Sequence, residues 1–194
     1  MSAPQNAASS KPASQKVKAT QKATPKANKA AQKAVIISAF ACSGKTYFTQ
    51  NAEKLGYTVL DLDSSNYGWT KDKDGKKVRS KTFAQEYIDD IVAKATGPKA
   101  TNKTILLVST HPEVRNVLPE KGLRYSLVYP KKALKTEWLD RMRDRGSPES
   151  LLGIFNDNWD SFIGQCKESN NCTHYTLGRG QYLSTIVDNI LKHS

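Results

Sequence analysis

Apolar residues recur along the chain in two alternating patterns. Short runs rich in β-branched residues are typical of buried parallel strands, because both faces of such strands are covered. Longer stretches with apolar residues three or four positions apart predict amphipathic helices. The predicted strands are 34–38, 57–62, 103–109, 124–129 and 172–177. The predicted helices are 47–55, 82–95, a short segment within 110–122, 130–146, 147–166 and 181–192. Strands that alternate with helices predict a three-layer α/β domain around a parallel five-stranded sheet.

Residues 1–33 differ in composition from the rest of the chain. They contain seven lysines, no acidic residue and no aromatic residue, and most other positions are Ala, Ser, Gln, Thr, Asn or Pro. Such a segment buries too little apolar surface to offset the entropy of ordering it. We therefore expect a disordered Lys/Ala-rich basic arm at 1–33, followed by one folded domain at 34–194.

The charge of the chain indicates a polyanionic partner. The arm supplies seven of the twelve formal net positive charges, and the folded domain remains basic. DNA is the predicted partner of the arm. A solubilising tail and a mitochondrial presequence are alternatives, although the arm has no arginine and no amphipathic stripe. No apolar run is long enough to span a bilayer. The three cysteines are too few for a disulfide framework, which favours the cytoplasm.

Residues 39–46 match the phosphate-binding loop pattern G-x-x-x-x-G-K-[ST] between a predicted strand and a predicted helix. The candidate ATP-binding residues are Ala39, Phe40, Ala41, Cys42, Ser43, Gly44, Lys45 and Thr46. Backbone N–H groups of such a loop bind phosphate, Lys45 is expected to reach the β- and γ-phosphates, and Thr46 is expected to ligate Mg²⁺. Ala39 replaces the first glycine, and its methyl group predicts a slightly reshaped loop. A glycine turn with an exposed lysine is the alternative.

Asp61 and Asp63 follow the second predicted strand. Ligands bind at the carboxyl ends of parallel strands, and residues one position apart on an extended strand end point the same way. Asp61 is expected near Mg²⁺, through a water molecule, and the pair is expected to provide a base that accepts a proton from an attacking hydroxyl. An acceptor that is already a phosphate needs no such base, so the pair favours an alcohol acceptor. The alternative is a carboxylate pair that caps a turn.

Arg141 and Arg145 lie four residues apart on a predicted helix whose apolar face includes Trp138. This spacing places both guanidinium groups on a common side. Planar guanidinium groups suit phosphoryl oxygens and can stabilise the charge of a transferred phosphoryl group. The two residues predict an arginine-bearing lid, and local ion pairs with Asp140 and Asp144 are the alternative.

Aromatic and basic residues follow the second strand. Tyr67 and Trp69 precede a loop, 71–81, that contains six lysines and arginines. Aromatic rings beside a basic loop can stack on bases and hold a nucleic-acid backbone. Tyr67, Trp69 and Arg79 are therefore candidate substrate-binding residues, together with His111 after the third strand. A solvated charged hairpin is the alternative.

Residues 34–194 resemble the small P-loop kinases, a group that includes nucleoside monophosphate kinases, shikimate kinase, gluconate kinase and polynucleotide kinase. The phosphate loop, the shikimate-kinase-type Asp-x-Asp at Asp61 and Asp63, and the lid arginines carry this resemblance. The order Asp-Leu-Asp-Ser-Ser, Ser-Thr-His-Pro-Glu-Val-Arg, Val-Tyr-Pro and Arg-x-x-x-Arg-Gly is similar to that in bacteriophage members of the group. Some phage members phosphorylate 5-hydroxymethyluracil within DNA as a step toward hypermodified thymine.

Taken with the residues above, the resemblance implies an ATP- and Mg²⁺-dependent kinase that phosphorylates a hydroxyl group. The expected acceptor is 5-hydroxymethyluracil in DNA, in the cytoplasm of an infected bacterium if the protein is encoded by a phage. Two other functions stay open. One is a free (deoxy)nucleoside monophosphate kinase, and the other is a nucleic-acid-binding protein with a non-catalytic nucleotide site.

Overall fold

A parallel sheet of five strands forms the centre of the computed structural model, which describes residues 31–194. Strands and helices are numbered along the chain. The sheet contains β1 (Val35–Ala39), β2 (Thr58–Asp61), β5 (Thr104–Val108), β6 (Ser126–Pro130) and β7 (Thr173–Leu177). Their order across the sheet is β2-β5-β1-β6-β7, and every neighbouring pair is parallel.

Seven helices belong to the described part of the chain, and together with the sheet they form three layers. They are α1 (Lys45–Asn51), α2 (Phe83–Thr96), α3 (Pro112–Arg115), α4 (Val117–Glu120), α5 (Lys135–Asp144), α6 (Glu149–Lys167) and α7 (Leu183–Leu191). Short 3₁₀ turns occupy Ala52–Leu55, Ser64–Asn66 and Lys132–Leu134. The apolar faces of the longer helices cover the sheet, which buries the three central strands almost completely.

The predicted strands are confirmed, each within two residues of its observed bounds. The helix predicted at 130–146 begins later, because Pro130 pairs with Leu177 as the last residue of β6. Proline fixes a φ angle that suits the first turn of a helix but also tolerates a strand end, so the residue alone does not distinguish the two. The segment 110–122 contains two short helices, α3 and α4, instead of one.

The basic loop forms an antiparallel hairpin of β3 (Trp69–Lys71) and β4 (Lys77–Arg79). One carboxylate oxygen of Asp72 accepts hydrogen bonds from the N–H groups of Asp74 and Lys76, at 3.0 and 2.8 Å. Gly75 completes the turn with a φ of +77°, a conformation that glycine adopts without steric cost. The basic loop is therefore a charged hairpin, a structure that fits either role predicted for it.

The folded domain begins slightly earlier than predicted. The side chain of Gln32 accepts from the N–H of Arg124 at 2.7 Å and donates to its carbonyl oxygen at 2.9 Å. The N–H of Lys33 donates to the carbonyl oxygen of Ala95 at 2.9 Å. Gln32 and Lys33, which were assigned to the arm, therefore contact the domain, and the rest of the predicted arm, 1–30, lies outside the described residues. Within 31–194, no helix has both the length and the apolarity needed to cross a lipid bilayer.

Candidate functional site

The phosphate loop connects β1 to α1 through a glycine that no other residue can replace easily. Gly44 has a φ of +91°, in the left-handed region that side-chain-bearing residues rarely adopt. A Cβ atom added there would lie 3.2 Å from the ring of Tyr182. Both the backbone conformation and the close ring therefore require glycine at this position.

Neighbouring helices hold the loop in place through its carbonyl groups. The carbonyl oxygen of Ala41 accepts a hydrogen bond from the indole N–H of Trp138 on α5 at 2.7 Å. The carbonyl oxygen of Ser43 accepts from the N–H of Leu183, at the start of α7, at 2.8 Å. The loop is thus preorganised, because two helices far apart in the sequence fix its path.

The effect of Ala39 on the shape of the loop stays a prediction, but Ala39 itself lies in the strand before the turn. It is the last residue of β1, pairs with Val128 and is buried in the core. The unusual backbone lies instead at Cys42, which has a φ of +59°. A left-handed residue that is not glycine costs roughly 1–2 kcal/mol. The hydroxyl oxygen of the neighbouring Ser43 is buried and has no hydrogen-bond partner among the described residues.

Lys45 and Asp61 line the same cavity, and the charge of each affects the pKa of the other. The amine of Lys45 donates to the carbonyl oxygen of Ala39 at 3.0 Å. Burial lowers the pKa of Lys45 below its usual value, and the charge of Asp61 opposes this shift. Burial likewise raises the pKa of Asp61, against the effect of Lys45. One carboxylate oxygen of Asp61 is buried and lacks a hydrogen-bond donor, so a ligand there would meet an acceptor that nothing else occupies.

Asp63 has more exposed surroundings than Asp61. Its Oδ1 atom accepts a hydrogen bond from the N–H of Ser65 at 2.8 Å and caps the 3₁₀ turn Ser64–Asn66. The turn-capping alternative is therefore observed at Asp63. It leaves the second carboxylate oxygen unused by the turn, so capping fixes the side chain without excluding a chemical role.

The two predicted lid arginines have different surroundings. Arg141 forms an ion pair with Glu137 at 2.7 Å, and its guanidinium group lies between the rings of Trp138 and Tyr182, 4.1 and 3.9 Å from their centroids. Arg145 is exposed, and its Nε atom donates to the hydroxyl of Ser147 at 2.8 Å. Arg141 is held rigidly, whereas the charge of Arg145 is unpaired among the described residues and faces solvent.

Glu137 also connects the lid helix to the loop before α7. Its Oε1 atom accepts from the N–H of Gly180 at 2.9 Å as well as from Arg141. The hydrogen bond from Gly180 and the nearby Arg141 hold the pKa of Glu137 below its usual range. A charged Glu137 therefore fixes the side chain of Arg141 and the backbone at Gly180, shortly before α7.

One cavity of about 1200 Å³ brings most of the predicted site residues together. Its lining includes every predicted catalytic residue, His111 and all of the phosphate loop except Ser43: Ala39, Phe40, Ala41, Cys42, Gly44, Lys45, Thr46, Asp61, Asp63, His111, Arg141 and Arg145. At His111, the ring nitrogen Nε2 lies 3.3 Å from the hydroxyl of Ser64. The cavity thus joins the ends of β1, β2 and β5 to the lid, as expected for a ligand site in a parallel sheet.

Tyr67 and Trp69 lie outside this cavity. They line a second cavity of about 390 Å³ beside the hairpin. The hydroxyl of Tyr67 donates to Asp90 at 2.5 Å, and burial raises its pKa to about 12. Trp69 is 48% exposed. The side chain of Arg79 is outside the described part of the structure. Tyr67 and Trp69 therefore lie beside the hairpin and not in the wall of the main cavity.

Several residues of the main cavity were not predicted as site residues. Tyr182 covers the phosphate loop, and Arg115, Phe155 and Phe162 line the cavity beyond it. Tyr182 belongs to no motif, and the two phenylalanines were assigned only to the apolar face of their helix. The spacing of Phe155 and Phe162 predicts burial correctly but does not distinguish a helix face that meets the sheet from one that meets a cavity.

The residues present fit a magnesium ion bound together with a nucleotide. Thr46 is exposed and lines the cavity, and the half-buried Asp61, one of whose carboxylate oxygens has no hydrogen-bond donor among the described residues, lines the same space. Magnesium is usually held by one or two carboxylates together with substrate phosphates and water, so a dedicated cluster of protein ligands is not required.

Comparison with known proteins identifies the fold. No protein-family model and no curated protein matches the sequence. The structure is similar to shikimate kinase from Acinetobacter baumannii, with a TM-score of 0.52, 19% identity, and coverage of 85% of this chain and 96% of that one. It is also similar to the tunicamycin resistance protein of Deinococcus radiodurans, with a TM-score of 0.51, 16% identity, and coverage of 84% and 95%. This chain has the P-loop kinase fold. The predicted fold class is thereby confirmed, while such low identities say nothing about the substrate.

Proposed function

We propose that this protein is an ATP- and Mg²⁺-dependent kinase that transfers a γ-phosphoryl group to a hydroxyl. The observation that carries this proposal is the main cavity, where the phosphate loop with Lys45, the two aspartates after β2, and Arg145 line one space. Phosphoryl transfer depends mainly on positioning and on electrostatic stabilisation. This cavity supplies both, because its loop is held by two helices and its cations surround the place where phosphate would bind.

The donor nucleotide would contact the phosphate loop and the lid. The N–H groups in the first turn of α1 have no partner within the helix and would bind phosphate oxygens, and Lys45 would follow the transferred group. Arg145 would approach the same group from the lid, since its charge is exposed at the cavity. Thr46 and Asp61 would hold Mg²⁺, which neutralises developing charge on the phosphates.

Asp63 is the proposed general base. The acceptor hydroxyl would give its proton to the carboxylate oxygen of Asp63 that Ser65 does not occupy. The hydroxyl oxygen would then form a bond to the γ-phosphorus as the bond from that phosphorus to ADP breaks. The bond from Ser65 supports this assignment, because it fixes the carboxylate before the acceptor binds.

The proposed acceptor is a hydroxymethylated base, 5-hydroxymethyluracil, within DNA, modified as a step in the hypermodification of phage DNA in the bacterial cytoplasm. Three observations support this choice. The folded domain is basic, the hairpin β3–β4 presents the exposed ring of Trp69 beside several lysines, and the Asp pair suits an alcohol. Aromatic rings beside basic side chains are a common means of binding unstacked nucleotides.

Labelled ATP distinguishes this proposal from its alternatives. The acceptors are duplex DNA that contains 5-hydroxymethyluracil, the same duplex with thymine, and the free nucleotide 5-hydroxymethyl-dUMP. We expect label only in the first duplex. Transfer to the free nucleotide alone would support a nucleoside monophosphate kinase. ATP and DNA binding without any transfer would indicate a nucleic-acid-binding protein with a non-catalytic nucleotide site.

Substitution of the loop lysine tests the same assignment. Lys45→Ala is expected to lower the rate of phosphoryl transfer by on the order of 10²-fold or more. The loss of one preorganised hydrogen-bond donor has an effect of this size in other enzymes. The fold should be retained, because the side chain of Lys45 makes a single hydrogen bond within residues 31–194, to the carbonyl of Ala39. Lys54→Ala is the matched control, since Lys54 is exposed and does not line the cavity. Near-normal transfer by a folded Lys45→Ala protein would contradict the proposed function.

A further inference from the structure

A buried arginine beyond the phosphate loop has no acidic partner. Arg115 ends α3 and is only 2% exposed. Its Nε donates to the carbonyl oxygen of Thr110 and its Nη1 to that of Gln165, each at 3.0 Å. Within the described range, 31–194, no carboxylate lies within 4.0 Å of its nitrogen atoms. Burying an unpaired charge is unfavourable, so its compensation needs an explanation.

The protein compensates this charge only in part. Gln165 lies in the last turn of α6, where the helix dipole amounts to roughly half a negative charge. The thiol of Cys166 lies beside the guanidinium group, but burial raises its pKa although Arg115 opposes the shift. Cys166 is therefore a neutral thiol near pH 7 and supplies no counter-charge. A guanidinium group has five N–H donors. Two donate to carbonyl oxygens and one to the sulfur of Cys166, so two remain available.

The position of Arg115 connects this charge to the main cavity. Arg115, Gln165 and Cys166 line that cavity together with the rings of Phe155 and Phe162. The two rings meet edge to face, with centroids 5.3 Å apart. This part of the cavity therefore combines an apolar aromatic wall with an unsatisfied cation, which suits a ligand that has a flat ring and an anionic group.

We propose that Arg115 binds a phosphate oxygen of the acceptor nucleotide, while the base packs against Phe155 and Phe162. The inference rests on the proposed function, because it assigns the acceptor side of the same cavity. The phosphate belongs either to a free nucleotide or to a phosphodiester of DNA, since both present the same anionic oxygens to a guanidinium group.

Calorimetric titration tests this site separately from catalysis. Wild type, Arg115→Met and Arg115→Gln are first saturated with Mg²⁺ and a non-hydrolysable ATP analogue, which fills the phosphate loop. They are then titrated with dTMP, with thymidine and with a short oligothymidylate. Arg115→Gln removes the charge but keeps an amide that can donate to the carbonyl of Thr110, so it provides a folded variant if Arg115→Met is unstable. Arg143→Met is the matched control, because Arg143 is exposed, pairs with Asp140 and does not line the cavity.

Wild type is expected to bind dTMP more tightly than thymidine. The Arg115 variants should lose roughly 10- to 100-fold in affinity for dTMP, as the loss of a charged hydrogen bond predicts. Their affinities for thymidine and for the ATP analogue should not change, which shows that the fold is intact. Arg143→Met should behave as wild type. If the Arg115 dependence appears with the oligothymidylate and not with dTMP, the phosphate belongs to DNA.

One result would overturn the site, namely that the affinities for dTMP and for oligothymidylate are both unchanged in a folded Arg115 variant. Arg115 would then serve only to cap α6, even if the protein transfers phosphate as proposed. If the wild-type protein binds dTMP through Arg115 but never transfers a phosphoryl group, the proposed kinase activity is wrong. The proposed anion site at Arg115 would still be supported.

Discussion

Asp61 and Asp63 are one residue apart, yet the structure gives their carboxylates different environments. Asp61 is half-buried, lines the same cavity as Lys45 and has an oxygen without a donor, whereas Asp63 is exposed and oriented by Ser65. A carboxylate near the metal and a carboxylate near the acceptor need these two environments. The assignment of Mg²⁺ to Asp61 and of the base to Asp63 follows from this difference.

Replacement of each aspartate by asparagine should produce two different defects. Asp63→Asn should lower kcat by roughly 10²–10⁴-fold with little change in the KM for ATP, because a base acts on the acceptor. Asp61→Asn should instead raise the Mg²⁺ concentration needed for half-maximal rate. Rate measurements over a Mg²⁺ titration separate the two. Wild-type rates in both variants would contradict the alcohol-acceptor argument and favour the free-nucleotide kinase.

The pH dependence of Asp61→Asn gives a second test. The pKa of Asp61 is raised by burial, so the folded state holds its proton to a higher pH than the unfolded state does. Wild type therefore loses the stability that protonated Asp61 contributes as the pH rises through the folded pKa. The asparagine variant cannot titrate there, so its melting temperature should depend less on pH in that interval. Identical pH profiles would contradict the unsatisfied burial of Asp61.

At single positions, the sequence predicts features that depend on neighbouring residues in the chain. It misses contacts between residues that are distant in the sequence and meet only in the fold. Gly44 and Lys45 follow from the loop pattern, because the pattern encodes a backbone conformation and a charge. Arg141 lies on the predicted helix, but Tyr182, one of the two rings that contact it, comes from the residue before α7, more than forty positions later. Cys42 has a left-handed backbone that no propensity predicts, because cysteine seldom adopts it.

At the scale of elements, a buried hydroxyl connects two strand ends. Tyr87 on α2 donates to the carbonyl oxygen of Leu62 at 2.7 Å and accepts from the N–H of Ser109 at 2.9 Å. Leu62 follows β2 between the two aspartates, and Ser109 follows β5. Burial raises the pKa of Tyr87 to about 12, so its hydroxyl stays protonated. Tyr87 therefore fixes the spacing between the segment that carries the aspartates and the next strand.

Tyr87→Phe should destabilise the domain and also slow transfer. It leaves one buried carbonyl and one buried N–H without a partner, at a cost of about 1–3 kcal/mol. Chemical denaturation measures this cost, and kcat should fall while the KM for ATP stays near that of wild type. Tyr57→Phe is the control, because the Tyr57 hydroxyl makes no hydrogen bond within residues 31–194 and does not line the main cavity, so its removal should cost little. Equal stability and equal kcat in the two variants would exclude a positioning role for Tyr87.

The elements themselves were largely predictable from the chain, because parallel strands covered on both faces are almost continuously apolar. The runs that became β1, β5 and β6 carry this signal most strongly. The order β2-β5-β1-β6-β7 is not visible in such runs, since it depends on which faces the crossover helices cover. The hairpin β3–β4 was harder to predict, because its strands are short and mostly polar, β3 is exposed, and the pairing depends on the turn at Asp72.

At the scale of the whole molecule, positive charge is concentrated in two segments of the sequence, the predicted arm and the hairpin β3–β4. The hairpin β3–β4 belongs to the folded domain, and six of the seven lysines of the predicted arm precede residue 31. Charge that binds phosphate groups acts with little regard to base sequence, whereas recognition of a modified base requires a shaped cavity. We therefore expect the arm to set affinity for DNA and the domain to set the choice of base.

Deletion of residues 1–30 tests this division of roles. The shortened chain keeps Gln32 and Lys33, which bond to the domain, so its melting temperature and ATP affinity should equal those of the full chain. Each lysine that neutralises a phosphate changes the slope of log K against log salt by about 0.9, which sets a ceiling of about 5 for six lysines. Because a long basic segment seldom engages every charge at once, the slope for duplex DNA should fall by roughly 2 to 4 units. A full-length variant with the same arm composition in scrambled order should bind as wild type, since only charge is required. Preference for the modified base should survive the deletion, and equal salt slopes with and without the arm would show that these lysines do not contact DNA.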